Sequence, residues 1–573
     1  MSQLTIVEVA MEMALTDEIL KNIAVKYGST AAVEAGMSTS VGGIGPLLRE
    51  RVIVQSEMDC RVIGISLLYR TTWVQGWHAW NHLFLRRNEV ADHIRAVLTD
   101  TGLILNLKLF DETTIPVKVW KAAYGKADVY FLDAPDVADV VYPCEEDSPP
   151  QVGNQHEWAE NQRLKQGWLI GRGAFALLKA LNVRPDVVIQ SETPTFFGNH
   201  RLIQDEFQND PVFENAHYVF NDHTPLEYAH PIWPQSMLDK VKVDKKIYSG
   251  YLRGERTRRE LDVTRLLVAI SDGVFGVAKK HGDVMRAMPS LSDYGKKIES
   301  ITNGISVPIW QNPLLRDADK KSDEDLIAIK ESLKADLVKW LWKRASLWPD
   351  WLKAARGKAL LLWTRRITSY KRLDMLHQIF QNPRNRERFL KTDILLVVGG
   401  RIYQRDNVSE KMVYTLIEML NRDTELGDRV VFLDNFNIYE APRLYHAADG
   451  AIMLSNDGRE ASATGFMKAQ VNGGAVLANS DGAVPESVAF YGKTAAGMAP
   501  NGFEVSYVHG EPDPISFLEA LENFDRMYKN PADRVAMVRS ALSSVSQVSV
   551  ERTSQEMLDM FRRICQKPPF QPT

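Results

Sequence analysis

The chain is poor in cysteine. Cys60, Cys144 and Cys565 are the only three in 573 residues, far apart and in no CxxC or Cys/His pattern. That spacing excludes a disulfide framework and a zinc site of the usual kind. No apolar run reaches membrane-spanning length. The opening residues, Met1 to Thr5, show no basic stretch followed by a long apolar one. These absences predict a cytoplasmic enzyme of a reducing compartment. A basic excess is missing too. The net charge is −4, with 69 Lys and Arg against 73 Asp and Glu, which argues against a dedicated nucleic-acid binder. One local basic run, Lys240 to Arg259 with Lys245, Lys246, Arg253, Arg256, Arg258 and Arg259, reads as a solvated face.

What is present is the composition of a globular enzyme, 45% apolar and 25% charged. At this length two large domains are expected. The expected boundary lies in the proline-bracketed stretch Val307 to Pro313, giving domains 1–308 and 309–573. Candidate strands are Val52–Val54, Val187–Ile189, Tyr218–Phe220, Leu266–Ile270, Ala359–Trp363, Ile394–Val398, Val430–Leu433, Ala451–Leu454 and Ala475–Ala478. They are continuous apolar runs, as in parallel strands covered on both faces. Helical patterns such as Ala174 to Leu181, Leu326 to Arg344 and Glu410 to Arg422 separate them. The alternation predicts doubly wound α/β domains, whose ligands bind at the carboxyl ends of the strands. After Val508 only helices are expected, then a frayed Pro-rich tail from Lys567 to Thr573.

Several polar clusters follow these strands. After Ala451–Leu454 comes Arg459-Glu460-Ala461-Ser462-Ala463-Thr464-Gly465-Phe466-Met467-Lys468. Small residues opening a helix suit an anion, since free N–H groups and the helix dipole both favour negative charge. Thr464 and Lys468, four apart, share a helix face, which suits a phosphate-bearing aldehyde held by a lysine. By itself the segment favours a capped surface helix with a solvated lysine. After Trp363 come Arg365, Arg366, Lys371 and Arg372, four cations in eight residues, as suited to a dianion as to a basic surface turn. Val41-Gly42-Gly43-Ile44-Gly45, Asn221-Asp222-His223-Thr224 and Thr302-Asn303-Gly304 are weaker signals, each as readily a turn or a satisfied loop.

Together and in this order, the clusters resemble the α-glucan phosphorylase family, the glycogen, starch and maltodextrin phosphorylases, the short bacterial and archaeal type most closely. Ile6 to Leu15 is similar to the family's opening strand, Val41 to Gly45 to its glycine loop, and Val62 to Arg70, Arg184 to Val188 and Asp272 to Gly282 to further segments. The most specific part is Glu460 to Gly473, with Asp481-Gly482-Ala483 beyond it. The resemblance implies two facing Rossmann-like domains, the GT-B fold. It implies release of glucose 1-phosphate from an α-linked glucan, with retention. It implies pyridoxal 5′-phosphate as cofactor, glucan and inorganic phosphate as partners, a homodimer, and no metal. Lys468 would carry the cofactor as a Schiff base, with Thr464, Ala463, Gly465 and Arg365 around its phosphate. Arg366 and Lys371, with Gly42 and Gly43, would bind the substrate phosphate. Glu460, Ser462 and Asn303 would meet the sugar, and His223 would lie over the glucosyl unit.

The chain departs from the family pattern at three places. Ala463 stands where the turn has glycine, Ser191-Glu192-Thr193-Pro194 replaces Asn-Glu-Gly-His, and Phe436 falls at a position usually tyrosine. A nucleotide-sugar glycosyltransferase of glycogen synthase type is the alternative, since Ala475 to Glu486 also resembles the donor end of such enzymes. A glucan-binding paralogue without turnover is a third. Lys468 discriminates, because only the phosphorylase reading requires a lysine there.

Overall fold

The computed structural model describes residues 3–571 apart from 79–81, 256–257, 349, 404–405 and 494–498. Arg256 of the basic run and the last two tail residues therefore lie outside the described residues. The chain forms two compact units. Met1–Trp73, Arg87–Thr302 and Thr553–Thr573 make the first, and Val74–Arg86 with Asn303–Arg552 the second.

The second unit is built on six parallel strands, in the order Val430–Leu433, Ile394–Gly399, Ala359–Thr364, Gly450–Met453, Ala475–Ala478, Gly502–Glu504. Numbered along the chain this is 3-2-1-4-5-6, the doubly wound order. Strands Ala359–Thr364 and Ile394–Gly399 are buried at every residue, because helices cover both faces. The strand order reverses between Ala359–Thr364 and Gly450–Met453. The loops leaving those two strands therefore part to opposite sides and leave a crevice.

The first unit repeats the plan. Its parallel strands run Ile298–Ser300, Gly273–Gly276, His217–Asp222, Val187–Ser191, Thr5–Val9, Arg61–Leu67, Ala127–Asp133. The reversal here lies between Thr5–Val9 and Val187–Ser191. Two antiparallel strands, Thr114–Tyr124 and Thr99–Lys108, extend the sheet past Ala127–Asp133. The outer one alternates exposed with buried residues, the pattern of a sheet wet on one face, and this pair was not among the expected strands.

Two expected strands are helical. Val52–Val54 lies inside helix Ile44–Glu57, and Leu266–Ile270 inside helix Val263–Ile270. A short apolar run cannot by itself distinguish a buried strand from a buried helix. The cap decides the second case: the Asp262 carboxylate accepts the Arg265 N–H at 2.8 Å. The C-terminal tail is docked, not frayed. Phe570 N–H donates to Asp272 at 2.6 Å, and the Lys567 carbonyl lies 2.9 Å from His217 Nε2. Among the described residues no helix is long and apolar enough to cross a membrane.

Candidate active site

In the second unit the loops that leave strands Ala359–Thr364 and Gly450–Met453 bring three charged side chains together. Glu460 Oε2 pairs with the Arg365 guanidinium and lies 3.0 Å from Lys371 Nζ. All three are largely buried, with side chains 8–12% exposed. Burial pulls the Lys371 ammonium down to about 7, helped by Arg365 and opposed by Glu460. Burial acts to raise the Glu460 carboxyl, but Lys371, Arg365 and Arg366 outweigh it and hold the group below its ordinary range. Arg366 faces the Tyr370 hydroxyl, whose pKa burial and Glu460 push up to about 12. Three cations thus surround one carboxylate. The excess positive charge favours an anion, and the guanidinium forks suit phosphate.

The loop carrying Glu460 is held from below by Asp481, a residue with no role assigned from the sequence. Its carboxylate accepts Ser455 Oγ at 3.0 Å, Gly458 N–H at 3.1 Å and Glu460 N–H at 3.0 Å. Gly482 follows at φ 55°, and a side chain there would press on the Ser462 carbonyl at 2.9 Å. Ser462 is 3% exposed and its Oγ has no hydrogen-bond partner among the described residues.

Ala463 adopts the left-handed conformation, φ 65°, and precedes helix Thr464–Gln470. The turn that departs from the family's glycine is therefore one that favours glycine. Thr464 and Gly465 are half-buried at the first turn, and Lys468 is buried, 9% exposed, one turn on. Lys468 Nζ lies 3.7 Å from the ring centroid of Trp310 and 5.9 Å from that of Tyr445, a cation over two aromatic faces. Asn472 fixes this pairing. Its amide nitrogen donates to the carbonyls of Trp310 at 2.7 Å and Lys468 at 2.9 Å, and its oxygen accepts Asn312 N–H at 2.8 Å. Tyr445 in turn bonds Thr364 Oγ1 at 3.1 Å. Phe436 packs on Gly399 at the end of the neighbouring strand. Asn303 is buried where the chain enters the unit, its carbonyl accepting from Arg552 at 3.1 Å.

In the first unit the reversal point brings together Glu12, the glycine loop, Glu192 and His223. The Glu12 carboxylate accepts the N–H groups of Val41 at 2.8 Å and Gly42 at 3.4 Å. Gly43 then stands at the start of helix Ile44–Glu57, and side chains at Gly42 or Gly43 would meet nothing within 4 Å. Glu192 sits at φ 71°, a strained conformation for a residue with a side chain. Its carboxylate accepts both the His223 N–H and the Thr224 hydroxyl at 2.9 Å. The Asn221 amide lies 2.5 Å from His223 Nε2. Burial, with Arg51, pulls the imidazole down to about 3, so it is neutral at ordinary pH.

Residues 312–496 match the protein family described as Carbohydrate phosphorylase. The maltodextrin phosphorylase of Thermococcus litoralis is 24% identical, over 92% of this chain and 69% of its own length. The chain is thus similar to the α-glucan phosphorylases. The glycogen phosphorylase of Aquifex aeolicus is a similar phosphorylase, 23% identical over 88% of this chain and 81% of its own. That of Mycobacterium tuberculosis is 23% identical over 77% of this chain, which spans only 58% of its length. Among solved structures, the catalytic domain of starch synthase IV from Arabidopsis thaliana, bound to ADP and acarbose, superposes with a TM-score of 0.71 at 17% identity. The match covers 99% of this chain and all of that one. The fold class is GT-B, as expected from the sequence. The carbohydrate phosphorylase match and the similar phosphorylases support an enzyme of glycosyltransferase type.

The sequence pointed to Arg365, Arg366, Lys371, Glu460 and Lys468. It gave no role to Glu12, Asp481, Trp310 or Tyr445. Asp481 and Glu12 serve through backbone N–H groups of distant loops, which leaves no local pattern. Trp310 lies in the stretch read as a domain boundary.

Proposed function

We propose that the chain transfers a glucosyl unit from an α-linked glucan to inorganic phosphate, releasing glucose 1-phosphate with retention, with pyridoxal 5′-phosphate bound at Lys468. The observation that carries this reading is the cationic cluster Arg365, Arg366 and Lys371 around Glu460, at a strand-order reversal, one short loop before a buried lysine. The donor set suits the cofactor. It offers a buried amine over an aromatic ring, an unpartnered buried hydroxyl at Ser462, and cations to meet a phosphate. Lys468, Thr464, Gly465 and Arg365 are the groups we assign to holding it. When bound, the cofactor supplies a second phosphate as an acid and base.

The chain's own residues do the rest. Arg366 and Lys371 bind and orient the substrate phosphate and offset its repulsion from a second phosphate. Glu460, fixed by Asp481 from behind, accepts a sugar hydroxyl while remaining ionised. In the first unit Glu192 and the neutral His223 are assigned to the saccharide. His223 Nε2 is occupied by Asn221, which leaves Nδ1–H as its donor.

The test is an absorbance spectrum of the purified protein before and after borohydride reduction, with the labelled peptide mapped. Pyridoxal attached at Lys468, lost together with phosphorolysis in Lys468→Ala, is expected. A cofactor-free protein that binds a nucleotide sugar instead would overturn the reading in favour of the glycogen synthase type.

A further inference from the structure

A buried polar chain in the first unit ends on His223. Glu8 lies in strand Thr5–Val9 and Arg51 in helix Ile44–Glu57. Ser191 closes strand Val187–Ser191, and its partner in the adjoining strand His217–Asp222 is Asn221. Glu8 and Asn221 are 0% exposed, Arg51 1% and Ser191 3%. Side chains so enclosed must match donors and acceptors with one another. Ser191 is also the first residue of the segment that departs from the phosphorylase pattern.

The Ser191 hydroxyl meets three groups. Its Oγ lies 2.7 Å from Glu8 Oε1 and 2.8 Å from Asn221 Oδ1, and it accepts an Arg51 N–H at 3.2 Å. A hydroxyl has one proton to give. If that proton goes to Glu8, two acceptor oxygens, Ser191 Oγ and Asn221 Oδ1, face each other at 2.8 Å with no hydrogen between them. A second proton removes the conflict, and Glu8 supplies it as a carboxylic acid. Glu8 then donates to Ser191, Ser191 to Asn221 Oδ1, and the Asn221 amide nitrogen to His223 Nε2 at 2.5 Å. Glu8 Oε2 still accepts from Arg51 at 2.5 Å. Burial favours this acid form: it raises the Glu8 carboxyl above its ordinary value although Arg51 acts to lower it. Arg51 is the charged group that acts on Glu8, and Arg51, Asp222 and His281 act on His223. With an ionised Glu8 the contacts would reverse. Ser191 would turn to the carboxylate, the Asn221 amide would turn over to donate to Ser191, and its oxygen would take hydrogen from His223 Nε2.

The state of Glu8 therefore decides which ring nitrogen of His223 carries hydrogen. We infer that Glu8 is a positioning residue: as a carboxylic acid, acting through Ser191 and Asn221, it holds His223 in the tautomer that offers Nδ1–H to a saccharide oxygen. The inference rests on the saccharide role proposed above for His223. Held this way, His223 selects a sugar hydroxyl that accepts; the reversed relay would select one that donates.

The test reads the tautomer directly, by magic-angle-spinning NMR of the full chain labelled with nitrogen-15 histidine and free of ligand. His223 is assigned by the signal lost in His223→Gln. A protonated Nδ1 with a bare Nε2 is expected at neutral pH. Ser191→Ala cuts the relay, and the Nε2–H form is expected to appear. Glu8→Gln keeps an N–H to give to Ser191, so the Nδ1–H form and the thermal midpoint are both expected to hold. Were Glu8 ionised, that exchange would break a buried ion pair and lower the midpoint by about 10 °C. In phosphorolysis, Ser191→Ala is expected to raise the glucan KM about tenfold, the size of one lost hydrogen bond. The inference is overturned if the native chain carries hydrogen on Nε2, or if Ser191→Ala leaves the tautomer or the KM as it was. It is equally overturned if Glu8→Gln lowers the midpoint by that amount or fails to fold. The tautomer and the midpoint need no turnover, so they are read even if phosphorolysis is absent. A wrong tautomer in a protein that does phosphorolyse glucan would sink this inference alone.

Discussion

Lys371 titrates near neutrality because a buried ammonium is expensive and two arginines stand nearby. Its pKa in the folded chain, about 7, is below its ordinary 10.5. The unfolded chain therefore holds more protons in that window, and this group's contribution to stability grows as the pH rises through it. Anion binding runs the other way, because it needs the charged form. We expect phosphate affinity to fall as the pH climbs past about 7, and the pH dependence to flatten in Lys371→Arg; isothermal titration across that range checks both. Ala463 makes a second residue-scale case. A left-handed alanine costs on the order of 1 kcal/mol that glycine does not. Ala463→Gly is expected to raise the second unit's thermal midpoint by about 2–4 °C, and a lowered midpoint in calorimetry would contradict it.

Helix Thr464–Gln470 is too short to hold its own position. Asn472 fastens it to the Val307–Trp310 turn through three buried hydrogen bonds. Asn472→Ala would leave two carbonyls and an N–H unsatisfied. A loss of about 2 kcal/mol is expected in chemical denaturation, with Lys468 released from the Trp310 face and more reactive towards pyridoxal phosphate. Asn472 was visible in the sequence only as part of a motif, because its three partners are backbone groups. Parallel strands such as Ala359–Thr364, Ile394–Gly399, Val430–Leu433 and Ala475–Ala478 were legible, since helices on both faces demand unbroken apolar runs. Arg61–Leu67, Ala127–Asp133, Gly273–Gly276, Ile298–Ser300 and Gly502–Glu504 were not among the expected strands. Most of the polar clusters were legible too, because they follow strands at their carboxyl ends; the glycine loop Val41–Gly45 instead follows helix Ser29–Ser38. Helix Val263–Ile270 and the pair Thr99–Lys108 with Thr114–Tyr124 were not legible. The helix is as apolar as a strand, and the pair is half exposed, so neither carried the pattern being sought.

At the scale of the molecule, the last helix matters most. Residues 553–573 belong to the first unit although the whole body of the second precedes them. Met557 Sδ lies 3.9 Å from Arg51 and 3.6 Å from Gln55, and the Met560 sulfur covers Gly273. A chain ending at Arg552 is expected to lose amide protection in helix Ile44–Glu57 and to retain it in strands Ala359–Thr364 and Ile394–Gly399. Hydrogen exchange by mass spectrometry checks this, and equal protection in both units would refute it. The same arrangement sets a timetable on the ribosome. Between Thr302 and Thr553 lie 250 residues, the stretch Asn303–Arg552. At about 5–20 residues per second they take on the order of 10–50 s to synthesise. During that interval the nascent first half carries an uncovered apolar groove, and it is a natural client for a chaperone that releases it only when the tail emerges.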